Sequence, residues 1–160
     1  MAVTMTVEGL EEISEMLNQL GNDAQKIASL ALYEGAGVMA DEVSRSAESI
    51  KTEPFHYAVF GTRLPSPEEK AAVTEHGSVG IAKFDKNGAE VTTSVGYGNA
   101  GYAEVKGKQK AVAQIANAIN SGTSFMAKQP FIRKAANSGS RKAAEAIRQA
   151  IEARINEITK

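Results

Sequence analysis

Two histidines, a glycine-rich turn and a cluster of hydroxyl residues are the parts of this chain from which chemistry could be built. His56 and His76 stand 20 residues apart. Neither falls in a metal-ligand spacing, so each reads as a loop residue. The absence of cysteine excludes disulfides, thiol catalysis and Cys-based zinc sites. Gly96-Tyr97-Gly98-Asn99-Ala100-Gly101 matches G-x-G-x-x-G after a predicted strand. The dinucleotide reading also needs a helix opening at that turn and an acid about 20 residues on. Here no helix opens cleanly, and Glu104 stands too close. Gly107-Lys108 lacks the flanking residues of a phosphate loop. The adjacent carboxylates Glu11-Glu12 and Glu68-Glu69 point to different helix faces and make no acid–base pair. Ser121, Thr123 and Ser124 have no histidine nearby to activate them. Lys106, Lys108 and Lys110, near Tyr97 and Tyr102, form a small basic-aromatic patch that could touch phosphates, although a solvated loop explains them as well. The residues therefore supply no catalytic, cofactor-binding or metal-ligating set.

The elements that would position any site follow from periodicity. Val3, Met5 and Val7 alternate with polar residues, which predicts a strand over Met1 to Glu8. Leu10, Ile13, Leu17 and Leu20 share one helical face, and Gly21 ends that helix. Ile27, Leu30, Ala31, Val38, Val43 and Ile50 predict a long helix from Ala24 to about Lys51. Its Gly35 and Gly37 each cost about 1 kcal/mol relative to alanine, so a close contact or a kink is expected there. Pro54 to Ser78, with Pro65-Ser66-Pro67, reads as an excursion from the core, mobile as long loops are, with one or two helical turns over Glu68 to Glu75. Val79–Asp85 and Ala89–Tyr97 read as strands joined across Asn87-Gly88, a pair suited to a type I′ turn. A helix is expected over Gln109–Asn120. Another is expected from Ala127 to Lys160, with Pro130 in its first turn and Ser138-Gly139-Ser140 as a possible break. The fold class is α+β: a small antiparallel sheet, made of the N-terminal strand and the Asn87-Gly88 hairpin, packed on long N- and C-terminal helices. The 160 residues read as a single domain.

Charge is distributed unevenly. Residues 1–53 carry three Lys/Arg against ten Asp/Glu; residues 126–160 carry eight against three. An acidic front and a basic tail fit either terminal helices packed within one subunit or a subunit with opposite poles suited to head-to-tail assembly. The N-terminus lacks the pattern of a signal peptide, and no apolar run approaches the roughly 18 residues that span a membrane.

The run Ser121-Gly122-Thr123-Ser124-Phe125-Met126-Ala127-Lys128-Gln129-Pro130-Phe131-Ile132-Arg133-Lys134-Ala135 reads as a corner. Gly122 turns the chain and Phe131 pins the start of a basic helix. The chain resembles the tail-completion or neck (head–tail joining) proteins of long-tailed bacteriophages, the gp-ten-like family that includes lambda gpZ-like proteins. The matching residues are Gly122, Thr123, Met126, Ala127, Pro130, Phe131, Arg133 and Ala135, in order, together with the strand and Gly-Leu helix start at Val7–Ile13. Asn120 and Ser121 stand where the family carries a Glu and an aromatic, and Lys134 where it often carries a proline.

The resemblance implies a structural virion protein without catalysis and without a cofactor. It implies a ring of this chain, often sixfold, at the head–tail junction, with DNA passing through the lumen without sequence-specific binding. Partners would be connector or stopper proteins, or tail-tube or terminator proteins, with no membrane. The protein would be found in the virion, and in the host cytoplasm during assembly. The site residues it implies are Gly122, Thr123, Pro130, Phe131 and Arg133, as an assembly corner. The other reading of the same residues is a small nucleic-acid-binding domain that uses the basic C-terminal helix.

Overall fold

A computed structural model describes residues 2–6, 24–53, 61–87 and 90–158. The helix expected over residues 10–20 lies outside these, as do residues 54–60 of the expected excursion, with His56, and Gly88 of the expected turn. The described elements are β1 (Val3–Thr6), α1 (Ala24–Glu48), α2 (Pro67–Thr74), β2 (Gly80–Ile81), β3 (Asp85–Asn87), β4 (Glu90–Gly96), β5 (Tyr102–Val105), β6 (Lys108–Ala111), α3 (Val112–Ser121) and α4 (Phe131–Ile158). The class is α+β, as expected.

The two long helices form the frame. They run antiparallel, because Gly35 of α1 meets Ile147 of α4 while Ser46 meets Phe131. Two glycines let the backbones approach. A Cβ on Gly35 would stand 2.4 Å from Ile147 Cγ1 and 3.1 Å from the Ala143 carbonyl oxygen. A Cβ on Gly139 would stand 2.8 Å from Met39 Sδ and 3.0 Å from Glu42 Cγ. The Ser138-Gly139-Ser140 step therefore does not split α4, which runs unbroken from Phe131 to Ile158. Gly139 is a contact, not a break. Gly37 has nothing within 4 Å of where its Cβ would be.

These two glycines of α1 should respond in opposite directions. Gly35→Val forces side chain into Ile147 and should lower stability by about 2–3 kcal/mol, the usual size of core overpacking. Gly37→Ala fills open space in a helix interior and should raise stability by up to about 1 kcal/mol. Urea unfolding of both variants checks this, and equal losses would refute the account.

At the same crossing Glu42 is buried and bound by Lys142 Nζ (2.6 Å) and Ser138 Oγ (3.1 Å), with Arg45 alongside. The Lys142 hydrogen bond holds its carboxyl below the ordinary carboxylate range. Burial pushes the other way, and Ser138 and the charges of Arg45 and Lys142 add to the lowering. This tie and the Ser46 hydroxyl on the Phe131 carbonyl (2.7 Å) are polar contacts in a seam that is mostly apolar.

The sheet lies on α1 through β4, its central strand. β1 pairs antiparallel with β4 on one side (Val3 opposite Val95, Thr6 opposite Thr92). β2 and β3 share the other side. Ile81 is opposite Val95 and Asp85 opposite Thr92, so four steps on one strand face three on the other. This is a β-bulge over residues 82–84. The Thr93 hydroxyl donates to the Ala82 carbonyl there (2.8 Å). The hairpin expected around Asn87-Gly88 is present, with Asn87 itself paired to Glu90. Asn87 is thus a strand residue, not a turn residue.

Further expectations are corrected. Residues 109–111 are strand, not helix, because a second hairpin, β5–β6, precedes α3. Its two turn residues Lys106 (φ 53°) and Gly107 (φ 70°) are both left-handed, as a type I′ turn demands. Residues 61–78 are not an excursion from the core. Pro65, Ser66, Glu69, Ala72 and Val73 are buried, and Ala72 and Val73 join the main apolar cluster. Finally, residues 127–130 precede the last helix rather than open it. Pro130 stands one residue before α4, and its carbonyl accepts the bond from the Lys134 amide (3.0 Å).

The main core lies between the helix pair, β4 and α3. Met39, Val43, Val95, Tyr97, Ile115, Ile119 and Phe131 meet there. A smaller cluster of Leu32, Val91, Ile147 and Ile151 closes the other end of the helix pair. Leu30, counted from its spacing as part of the apolar stripe, is instead 44% exposed.

Candidate functional site

The corner begins where α3 stops. Gly122 (φ 76°) turns the chain, and its amide closes on the Ala118 carbonyl (2.9 Å). A left-handed φ favours glycine. Space demands it too, because a Cβ would lie 3.0–3.2 Å from Lys128. Thr123 then shapes the tip. Its Oγ1 accepts from the amides of Phe125 (3.2 Å) and Met126 (3.0 Å), and its amide donates to the Met126 carbonyl (3.0 Å). Thr123 is thus a turn-former, which leaves its oxygen occupied rather than poised as a nucleophile.

The tip is fastened to residue 63. The Arg63 amide donates to the Phe125 carbonyl (2.9 Å), and the Ala127 amide donates to the Arg63 carbonyl (2.8 Å), a parallel bridge. Met126 is buried beside it, while Phe125 is 77% exposed. A rigid turn therefore holds one aromatic in solvent between two anchored neighbours.

Gln129 closes the far side. Its amide donates to the Ile119 carbonyl (2.8 Å). Its side chain makes a two-bond pair with the backbone of Lys51, accepting from the amide and donating to the carbonyl, each at 2.9 Å. Asn120, buried, accepts from the Ile132 amide (3.1 Å) and so satisfies one free donor of α4 from outside that helix. Asn120 thus caps this helix from outside. Phe131 is buried edge-on against Tyr97, ring centres 6.0 Å apart at 70°. The Tyr97 hydroxyl donates to the Val73 carbonyl (3.0 Å).

Of the residues expected to form the corner, Gly122, Thr123, Pro130 and Phe131 come together as its structural parts. Arg133 is exposed beyond it and lines a shallow groove of about 280 Å³ with Val3, Asn120 and Ile132. Sequence reasoning missed Gln129, Asn120 and Arg63. Only Ser66-x-x-Glu69, a capping-box spacing, was available as a signal for the surroundings of Arg63.

That box is built as its spacing requires. The Ser66 hydroxyl accepts from the Glu69 amide (3.1 Å), and the Glu69 carboxylate accepts from the Ser66 amide (2.9 Å). Arg63 binds the same carboxylate through both guanidinium nitrogens (2.6 and 2.7 Å), with Lys110 at 3.9 Å. Glu69 is 3% exposed. Burial pushes its carboxyl up, but the Arg63 hydrogen bonds, the Ser66 amide and the charges of Arg63 and Lys110 outweigh it and hold the pKa at about 2. This ion pair ties α2 to the strand-like residue 63 that carries the corner's tip.

The other candidate chemistry disperses. Gly101 (φ 72°) leads into β5, not a helix, so the glycine-rich turn lacks the helix N-terminus that binds a pyrophosphate. Tyr97 is a core residue, which removes it from the basic-aromatic patch. Lys106 forms the hairpin turn, and its amide donates to Glu68 Oε2 (2.8 Å). His76 is exposed just after α2. Among the described residues no group of three His, Asp or Glu side chains could hold a metal ion, and no helix is long and apolar enough to cross a membrane. The corner is a packed joint that presents an aromatic tip and a basic rim.

No family model, curated protein or solved structure matches this chain.

Proposed function

We propose that this chain is a structural virion subunit of a long-tailed phage or prophage. In this reading it assembles into a ring at the head–tail junction, in the tail-completion or neck position, without catalysing a reaction. The observation that carries the reading is the fixed tip of the corner. Thr123 and Arg63 immobilise a turn whose exposed residue is Phe125. An aromatic on a preorganised turn loses little freedom when a neighbour covers it, which is how interface anchors work. Connector, stopper, tail-tube or terminator proteins would supply the axial neighbours, and DNA would pass through the lumen.

The nucleic-acid reading has less behind it. Along α4, Lys142 is paired with Glu42, Arg148 with Glu145 and Arg154 with Glu157. Much of the basic helix is neutralised within the subunit, and binding to phosphates needs free cations.

Size-exclusion chromatography with light scattering tests the proposal. The wild-type chain should form oligomers that grow with concentration, and Phe125→Ser should shift half-assembly to about tenfold higher concentration or more, the weight of an ordinary interface anchor. Its thermal midpoint should stay unchanged, because Phe125 packs on little. A chain that stays monomeric at high concentration, and also when mixed with connector and tail proteins, would end the assembly reading.

A further inference from the structure

The outer face of α1 stands largely uncovered by the described residues, with the Tyr33 ring edge-on to Phe84 (centres 6.4 Å apart). Leu30 (44% exposed) and Tyr33 (55%) stand on it. Gly37, with open space around it, lies on the same side one and two turns further along. The exposed carboxylates Glu34 and Asp41 flank this strip, and neither forms an ion pair among the described residues. Residues 30, 34, 37 and 41 share a helical face by spacing. The face is therefore an apolar strip with a notch, one acidic edge, and Lys26 exposed at its N-terminal end.

A second surface has the opposite character. At the end of the helix pair where α4 begins, a groove of about 290 Å³ has Leu64 and Pro130 in its lining and Lys51, Lys128 and Lys134 at its rim. None of these three cations has an ion-pair partner among the described residues. Their neighbours in sequence, Ala127 and Phe125, belong to the tip of the corner.

The geometry points to a contact between copies of this chain, in which the α1 outer face of one subunit lies in the basic groove of the next. A helix laid in a groove reads out residues at i, i+3 and i+7, which here are Leu30, Tyr33 and Gly37. Glu34 and Asp41 then meet the lysine rim. Two different surfaces are joined, so the contact is head-to-tail. Repeated, it closes into a ring or extends as a filament. The contact rests on the assembly reading above and gives that assembly its lateral surface, with this chain as its own partner.

Charge reversal tests it. One variant carries Glu34→Lys and Asp41→Lys, the other Lys128→Glu and Lys134→Glu. All four positions are exposed, so circular dichroism and thermal melting should match wild type. Each variant alone should need about tenfold or more higher concentration than wild type to assemble, and wild-type assembly should weaken as salt rises. An equimolar mixture of the two should recover assembly, because reversed faces meet reversed grooves and native faces meet native grooves. If wild type assembles and the single variants assemble equally well, this contact is wrong and the ring reading stands. If wild type does not assemble alone or with connector and tail proteins, the ring reading falls and the contact with it. If the Lys128→Glu and Lys134→Glu variant keeps assembling but loses salt-sensitive binding to a random DNA duplex, the rim belongs to nucleic acid and the contact is overturned.

Discussion

Arg63→Ala should lower the unfolding free energy by about 3–5 kcal/mol at pH 7, the usual cost of leaving a buried charge without its partner. The size follows from the site. Glu69 is buried within the capping box, and Arg63 meets it with two hydrogen bonds of 2.6 and 2.7 Å. Lys110 at 3.9 Å is too distant and too exposed to replace them. Glu69→Gln in the Arg63→Ala background should recover part of the loss, because an amide needs no counter-charge. The pair should therefore couple strongly in a double-mutant cycle.

The pH dependence adds a second readout. The folded carboxyl has a pKa of about 2 against an ordinary 4.5. A depressed folded pKa means that the stabilisation is fully present above the ordinary value. It is lost as pH falls from about 4.5 toward 2, where the native state must take up the proton it resists. Wild type should lose stability through this window. Arg63→Ala should lose less across it, since burial without the guanidinium no longer favours the charged form. Urea titrations between pH 7 and pH 2.5 decide the matter. Equal slopes for the two proteins, or a loss under about 1 kcal/mol at pH 7, would contradict this account of the pair.

Phe131→Ala should cost a comparable amount, about 3–5 kcal/mol, as truncation of a buried aromatic does when its surroundings cannot collapse. Collapse is hindered here on three sides. Tyr97 is fixed by its bond to the Val73 carbonyl, Ser46 Oγ donates to the Phe131 carbonyl (2.7 Å), and the Ile132 amide is held by Asn120. Phe131→Leu, which keeps most of the volume, should cost under about 1.5 kcal/mol. Thermal and urea unfolding of the two variants test this. Near-equal losses would place Phe131 outside the rigid joint described here.

How much of this was legible depended on how local the cause was. The strand at Val3–Thr6 and the long helix from Ala24 to Glu48 announce themselves through period two and period 3.6, which burial of one face imposes on any chain. The Asn87-Gly88 hairpin followed from turn chemistry, although the register placed Asn87 in the strand. The β5–β6 hairpin carries little local signal. β5 alternates only through Ala103 and Val105, β6 is Lys108, Gln109 and Lys110 before Ala111, and one of the two left-handed turn residues is a lysine. In the 61–78 stretch Pro65 and Pro67 carry the local signature of a loop. In the folded chain Pro65 is buried and Pro67 opens α2 behind its capping box.

The sequence by itself determined the α+β class, the two long helices and the place of the corner. Gly122, Pro130 and Phe131 act through constraints that operate within a few residues: a left-handed φ, a missing amide hydrogen, an apolar ring at a helix start. Only the tertiary structure decided what those constraints serve. Gly35 and Gly139 became contacts because Ile147 and Met39, 112 and 100 positions away in the chain, come to lie against them. Gln129 became a clasp because the backbone of Lys51 arrives beside it. Arg63 became the hub because Glu69 approaches from one side and the tip of the corner from the other. Such pairings depend on where the chain returns to itself, and neither residue type nor spacing records that.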